Sequence, residues 1–246
     1  MTQNPYSPPE VPINVPRIAL LFLLDTSGSM SVPQAFEGNR IIPIDQLNKA
    51  LNEFKKLVCE DKDTKDILDV AIVRFDKDYE VIQPFEPVAR MINVNLSATG
   101  DDTIYSPAIV KAIDMVQVQR RSYSAKPFKP WIVFITDGDP NSSDASGISR
   151  VAQEIQTLRS QRKLRFISLG VKGYRPEPLQ PLSDYVIDLG GWNFMEFFAW
   201  LHRSMAAVSQ SVPSEDHQEP DMAGNMGIVQ SPQQLKAFLE WQKMQQ

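Results

Sequence analysis

Cys59 is the only cysteine in 246 residues, so no disulfide can close within the chain. A reducing compartment, the cytoplasm, is therefore expected. Cys59 continues a helical apolar pattern, has no histidine or acid placed to activate it, and reads as structural. Histidine is scarce as well. His202 sits beside Trp200 and Leu201 and reads as a packing residue; His217 lies in an acidic stretch and reads as solvated. Positive charge is in deficit, with 25 Lys and Arg against 30 Asp and Glu, and a pI near 5.2. That balance argues against the basic face that nucleic acid requires. Arg120, Arg121, Lys126 and Lys129 form the candidate basic patch and read as a solvated loop. The longest apolar run, 18–24, is far too short to span a bilayer. The first 16 residues lack the basic and apolar blocks of a signal peptide. Neither a Gly-x-x-x-x-Gly-Lys loop nor a Gly-x-Ser-x-Gly elbow occurs, so the commonest nucleotide and hydrolase readings have no support.

Apolar residues make up 42% of the chain, enough for a sizeable core. Residues 17–24 form a continuous apolar run of strand length, the mark of a strand covered on both faces. Ile44, Leu47, Leu51, Phe54 and Val58 fall on one helical face. Strands are expected at 68–75 and 79–85. The link between them is too short for a parallel crossover, so the second should run antiparallel to the first. Ser106 and Pro107 open a helix, the hydroxyl as cap and the proline in the first turn. Further strands are expected at 131–135, 164–171 and 185–189. Helices are expected through Ile148, Val151, Ala152, Ile155 and Leu158, and at 194–208. The aromatics Trp192, Phe194, Phe197, Phe198 and Trp200 read as core. Strands alternating with helices predict an α/β fold, doubly wound. Its sheet is six-stranded and mostly parallel, with one antiparallel edge strand and helices on both faces. The organisation expected is a proline-rich arm at 1–15, a domain at 16–209, an acidic linker at 210–230 and a short amphipathic helix at 231–246.

In an open α/β sheet, ligands bind at the carboxyl ends of the strands. Three segments put oxygen donors there. Asp25, Ser27 and Ser29 lie at alternate positions after the first strand. Gly100-Asp101-Asp102-Thr103 precedes the helix at Pro107. Thr136-Asp137-Gly138-Asp139 ends the strand at 131–135. Carboxylates and hydroxyls are hard oxygen ligands that suit Mg²⁺, Mn²⁺ or Ca²⁺. Asp101, Asp102 and Asp139 read as added negative field rather than ligands.

Together the three segments resemble the von Willebrand factor A (VWA) domain and its metal-ion-dependent adhesion site, MIDAS. Asp25, Ser27 and Ser29 match that motif's Asp-x-Ser-x-Ser, Thr103 its distant Thr, and Asp137 its distant Asp. The resemblance runs over 17–209. It implies a Rossmann-like fold and a metal, Mg²⁺ first, with Mn²⁺ or Ca²⁺ as alternatives. Ser27 and Ser29 would ligate directly, Thr103 directly or through water, and Asp25 and Asp137 mostly through water. One open position would take an Asp or Glu from a partner protein. That is binding chemistry without turnover. Within the family, Asp25-Thr-Ser-Gly-Ser-Met30 and Lys129-Pro130-Trp131 resemble the small bacterial TerY-like proteins. That likeness implies an adaptor in a stress response, associated with protein kinases or metal-dependent phosphatases, and no membrane.

Two other readings compete on the residues. A metal-dependent phosphatase of the haloacid-dehalogenase type needs a second acid two residues after Asp25, where Ser27 stands. A flavodoxin-like FMN binder would use Thr26-Ser27-Gly28-Ser29 as a phosphate loop, which Asp25 opposes. In the tail, Leu235, Phe238, Leu239 and Trp241 suit a partner groove or the chain's own domain. Glu215, Asp216, Glu219 or Asp221 could fill the open metal position in cis, against the plainer reading of a solubilising linker.

Overall fold

A computed structural model describes residues 15–36, 39–100, 102–171, 174–183, 185–189, 194–211 and 213. The proline-rich arm up to residue 14, Asp101, Trp192, His217, most of the acidic stretch and the helix expected at 231–246 lie outside the described residues.

The elements run β1 (Ile18–Asp25), β2 (Gln34–Phe36), β3 (Asn39–Ile41), α1 (Pro43–Glu60), α2 (Lys62–Ile67), β4 (Leu68–Phe75) and β5 (Tyr79–Pro87). They continue with α3 (Ser106–Ser122), β6 (Trp131–Thr136), α4 (Ala145–Ser160), β7 (Arg165–Val171), β8 (Tyr185–Leu189) and α5 (Phe194–Ser209). The main sheet has the order β5-β4-β1-β6-β7-β8. Only β5 is antiparallel to its neighbour; the other pairings are parallel. The fold is therefore the expected doubly wound α/β sheet with one antiparallel edge.

Every residue of β1 is buried, because successive side chains face two cores. Leu20, Phe22 and Leu24 pack with α1 and α5. Leu21 and Leu23 pack with α3 and α4. Phe22, Phe54 and Phe198 meet at 5.5–5.7 Å in tilted and edge-on arrangements on the first side. Phe194, Phe197 and Trp200 are buried there too. His202 is half-buried, with Nε2 3.4 Å from Asp61 Oδ2.

The chain winds outward from β1 through β4 to β5, then crosses back to β6 on the other side of β1. The direction of winding reverses between β1 and β6, and a crevice opens at their carboxyl ends. On the way back, residues 91–99 run extended against α1. Asn48 brackets Leu96, donating to its carbonyl and accepting from its N–H, both at 2.9 Å. Asn52 does the same for Val94 at 2.9 and 2.8 Å. These amides replace a strand partner and satisfy a backbone that no sheet covers.

Three local features differ from the sequence reading. The short hairpin β2–β3 and the six-residue helix α2 were not foreseen. Three-residue strands carry no alternation to read, and α2 is marked only by its cap, Asp61, which accepts from the N–H groups of Asp63 and Thr64. Ser106 is not the cap of α3 but its first residue, and the residue before the helix, Tyr105, makes no capping bond. The capping oxygen is Oδ2 of Asp144, which accepts from both the Tyr105 and Ser106 N–H groups.

Candidate metal centre

Asp25 is the last residue of β1, and Asp137 directly follows β6. The two carboxylates thus flank the point where the winding reverses. Asp25 is fully buried at the floor. Its Oδ1 accepts the Ser27 N–H at 2.8 Å and its Oδ2 accepts the Thr136 hydroxyl at 2.6 Å. The second bond ties β1 to β6 beneath the site. Above it, the Ser27 and Ser29 hydroxyls lie 3.0 Å apart, and Ser29 donates to Asp137 Oδ1 at 2.7 Å. Ser27 and Asp137 are buried, whereas Ser29 is exposed and opens the site to solvent.

The loop after β1 is clamped to the end of the extended segment. Ser27 and Gly100 form a parallel bridge, Gly28 N–H donates to the Gly100 carbonyl at 2.6 Å, and Thr26 O accepts from Thr99 and Gly100. Gly100 must be glycine, since a Cβ there would stand 2.2 Å from that of Asp76. Thr103 follows, and its Oγ1 lies 3.8 Å from where a Cβ on Gly138 would be. The structure therefore brings Asp25, Ser27, Ser29 and Asp137 into one hydrogen-bonded chain and sets Thr103 beside it.

Several residues that hold this arrangement were missed from the sequence. Asn141 donates through Nδ2 to both oxygens of Asp102 at 2.9 Å, and its N–H donates to the Thr103 carbonyl at 2.8 Å. The Tyr105 ring packs on Phe75 and Phe134, and its hydroxyl donates to the Gly138 carbonyl at 2.5 Å. Asp102 is more than a source of negative field: it anchors Asn141 and the Thr103 N–H. Its carboxyl is held below the usual range by the Asn141 bond first. Asp139 turns outward to pair with Arg175 at 2.6 Å. A hydrophilic turn such as Asp139-Pro-Asn141-Ser-Ser-Asp144 carries no periodic signal, and its partners lie 38–39 residues away.

The electrostatics favour a cation. Burial pushes the Asp25 carboxyl up to about 6, overcoming the bonds from Ser27 and Thr136, and the charge of Asp137 adds to the shift. Burial also raises Asp137. Among the described residues neither carboxylate has an ion-pair partner. Among the described residues no three His, Cys, Asp or Glu side chains cluster to hold a metal by themselves, so a site built from those residues would enlist hydroxyls. The spacings fit that demand. Neighbouring oxygens around an octahedral Mg²⁺ stand roughly 3 Å apart, close to the 3.0 and 2.7 Å seen along Ser27, Ser29 and Asp137. Among the described residues no helix is long and apolar enough to cross a membrane.

A family model described as von Willebrand factor type A domain matches residues 19–184. Proximal thread matrix protein 1 from the mussel byssus, with a zinc-occupied MIDAS motif, has a TM-score of 0.52 at 14% identity, covering 78% of this chain and 48% of that one. The PilB minor pilin from Streptococcus sanguinis has a TM-score of 0.54 at 13% identity, covering 78% of this chain and 62% of that one. BatB from Bacteroides thetaiotaomicron has a TM-score of 0.51 at 14% identity, covering 79% of this chain and 100% of that one. This chain spans about half the length of the mussel protein and under two-thirds of the pilin. At these identities the likeness establishes the fold alone. No curated protein matches the sequence.

Proposed function

The chain belongs to the von Willebrand factor type A domain family, and on that premise we propose that it is a metal-dependent protein-binding module. The observation that carries the reading is a pair of buried carboxylates, Asp25 and Asp137, without an ion-pair partner among the described residues, bracketing two hydroxyls 3.0 Å apart. Burying a charge without a partner is strongly unfavourable. A divalent cation bound here would supply the missing charge and offer a position to an incoming carboxylate. Ser27, Ser29 and Thr103 would hold it. Asp25 holds the Ser27 N–H and the Thr136 hydroxyl, which orients the loop. Asp137 accepts from Ser29 and fixes that hydroxyl. Exposed Ser29 marks the side from which a partner's Asp or Glu would approach.

Mg²⁺ is the cation proposed; zinc in the MIDAS of the mussel protein supports a divalent occupant without selecting the metal. The motif Asp25-Thr-Ser-Gly-Ser-Met30 and the run Lys129-Pro130-Trp131 support a place beside the TerY-like members. An adaptor role in a cytoplasmic stress response, next to protein kinases or metal-dependent phosphatases, goes with that place. Ser27, where a phosphatase of the competing type needs a second acid, supports binding rather than turnover. The proposed layout is an arm at 1–15, the domain at 16–209, a linker at 210–230 and a helix at 231–246.

Calorimetric titration with Mg²⁺ should show one site, lost in the double variant Ser27→Ala/Ser29→Ala. Proteins retained from a lysate of the native host should be released by chelator and absent with that variant. Retention of the same proteins by the double variant would remove the metal from the interaction.

A further inference from the structure

Thr103 and Asp137 stand on separate irregular segments, one before α3 and one after β6. Their register is set by bonds that cross between the two segments: the Asn141 N–H to the Thr103 carbonyl, the Tyr105 hydroxyl to the Gly138 carbonyl, and those made by Asp144. We propose that Asp144 is a positioning residue of the metal centre, holding the start of α3, and Thr103 with it, against the loop that carries Asp137. The proposal deepens the metal-binding reading and rests on it.

Asp144 closes the short turn of Ser142–Asp144, directly before α4, and only 6% of it is exposed. Its own N–H donates to the Asn141 carbonyl at 2.9 Å, and α4 behind it is anchored through Ile148, Val151 and Ile155. From this fixed base the carboxylate reaches across to α3. Oδ2 accepts the Tyr105 N–H at 2.7 Å and the Ser106 N–H at 2.9 Å, and Oδ1 takes the Ser106 hydroxyl. A helix usually receives its cap from the residue before it. Here Tyr105 gives none, and the cap is borrowed from the loop that also carries Asp137. The arrangement satisfies open N–H groups and sets a negative charge at a helix N-terminus, both favourable.

Gly147 is an independent sign that the two segments are built to touch. A Cβ at that position in the first turn of α4 would stand 2.1 Å from Ser106 Oγ and 2.7 Å from Asp144 Oδ1. Glycine there lets α3 come close enough for its first residue to reach the carboxylate. Two residues before Tyr105, Thr103 is pinned on the same side by the Asn141 N–H. Residues that orient metal ligands matter to affinity because a shift of a few tenths of an ångström breaks the ligand set.

The test is Mg²⁺ titration calorimetry on the full chain in four forms: unsubstituted, Asp144→Ala, Thr103→Val, and the double variant. If Asp144 acts through Thr103, Asp144→Ala weakens Mg²⁺ about tenfold or more when Thr103 is present. It then adds less than about twofold in the Thr103→Val background, the signature of coupled residues. Equal affinity of Asp144→Ala and the unsubstituted chain, or an equal loss in both backgrounds, would overturn the proposal, whatever happens to thermal stability. Should Asp144→Ala not fold, Gly147→Ala crowds the same contact and should give a several-fold loss with the same dependence on Thr103; no loss would overturn the proposal. Absence of Mg²⁺ binding by the unsubstituted chain would instead overturn the metal reading itself, and the proposal with it.

Discussion

Asp69 and Asp25 are buried carboxylates at opposite ends of the sheet, and the chain treats them differently. Asp69, near the start of β4, takes a bidentate Arg17, with Nε at 2.9 Å, and also the Tyr123 hydroxyl at 2.8 Å. The pairing raises Arg17 through its hydrogen bond with Asp69 first. Asp25, at the end of β1, receives only neutral donors, and its carboxyl rises to about 6. A charge that carries its own cation is complete within the fold and can serve structure alone. A charge left without one is unsatisfied until something arrives. At the amino ends of the strands the charge of Asp69 is paired within the fold, whereas at the carboxyl ends Asp25 and Asp137 are buried without an ion-pair partner among the described residues, which is what the proposed metal site requires.

The largest effect on stability is expected at the amino ends of the strands. Asp69→Ala leaves the half-buried Arg17 without its carboxylate partner and should cost about 3 kcal/mol of stability. Mg²⁺ affinity of the folded protein should be unchanged. Urea unfolding and calorimetry on the same sample check both; a fall in affinity would mean that the two ends are not independent.

The carboxyl ends should give a dependence on pH of similar size. The folded carboxyl of Asp25 lies near 6 against an ordinary value of 3.8. Between those values the folded chain keeps a proton that the unfolded chain has released, so rising pH favours unfolding. The stabilising contribution is full below pH 3.8 and lost as pH rises through about 6, on the order of 3 kcal/mol in metal-free protein. Chelator-treated protein should thus show a falling contribution from this group over that window. Millimolar Mg²⁺ should raise Tm more at pH 7.5 than at pH 5, since the metal favours the ionised form. An equal rise at both would uncouple Asp25 from the cation.

Asp25→Asn should reverse the sign seen at Asp69. An amide keeps an acceptor for Ser27 and removes the buried charge, so metal-free protein at pH 7 should gain about 1–2 kcal/mol. Mg²⁺ binding should be lost. Destabilisation in place of a gain would show that the charge is already compensated without metal. The smallest change in stability belongs to Ser29→Ala, an exposed hydroxyl: within about 0.5 kcal/mol. Its Mg²⁺ affinity should still fall at least about tenfold. Native affinity in that variant would take Ser29 out of the site.

How much of this could be read from the chain follows the distance over which each feature acts. The inner strands β1, β4, β6 and β7 were legible because burial on two faces leaves nearly continuous apolar runs, and the direction of the antiparallel edge because its link to β4 is so short. Strand β5 extends to Pro87, two residues past the expected end. Asp25, Ser27 and Ser29 were legible because they are neighbours in one loop. The reading of Ser106 as a cap shows the limit. A local rule selects the nearest hydroxyl, whereas the structure uses a carboxylate 38 residues on.

The amino-acid sequence by itself determined the layers, the strand directions, the oxygen donors at the strand ends and the shortage of cysteine and positive charge. Each is set by periodicity or composition, which act within a few residues. Tertiary packing alone decided that Asp25 is buried with no Lys or Arg paired to it among the described residues, that Asn48 and Asn52 carry the chain toward Thr103, and that Asp144 ties α3 to the Asp137 loop. Those features depend on groups that meet only when the sheet closes, because desolvation and hydrogen-bond geometry are properties of the packed chain.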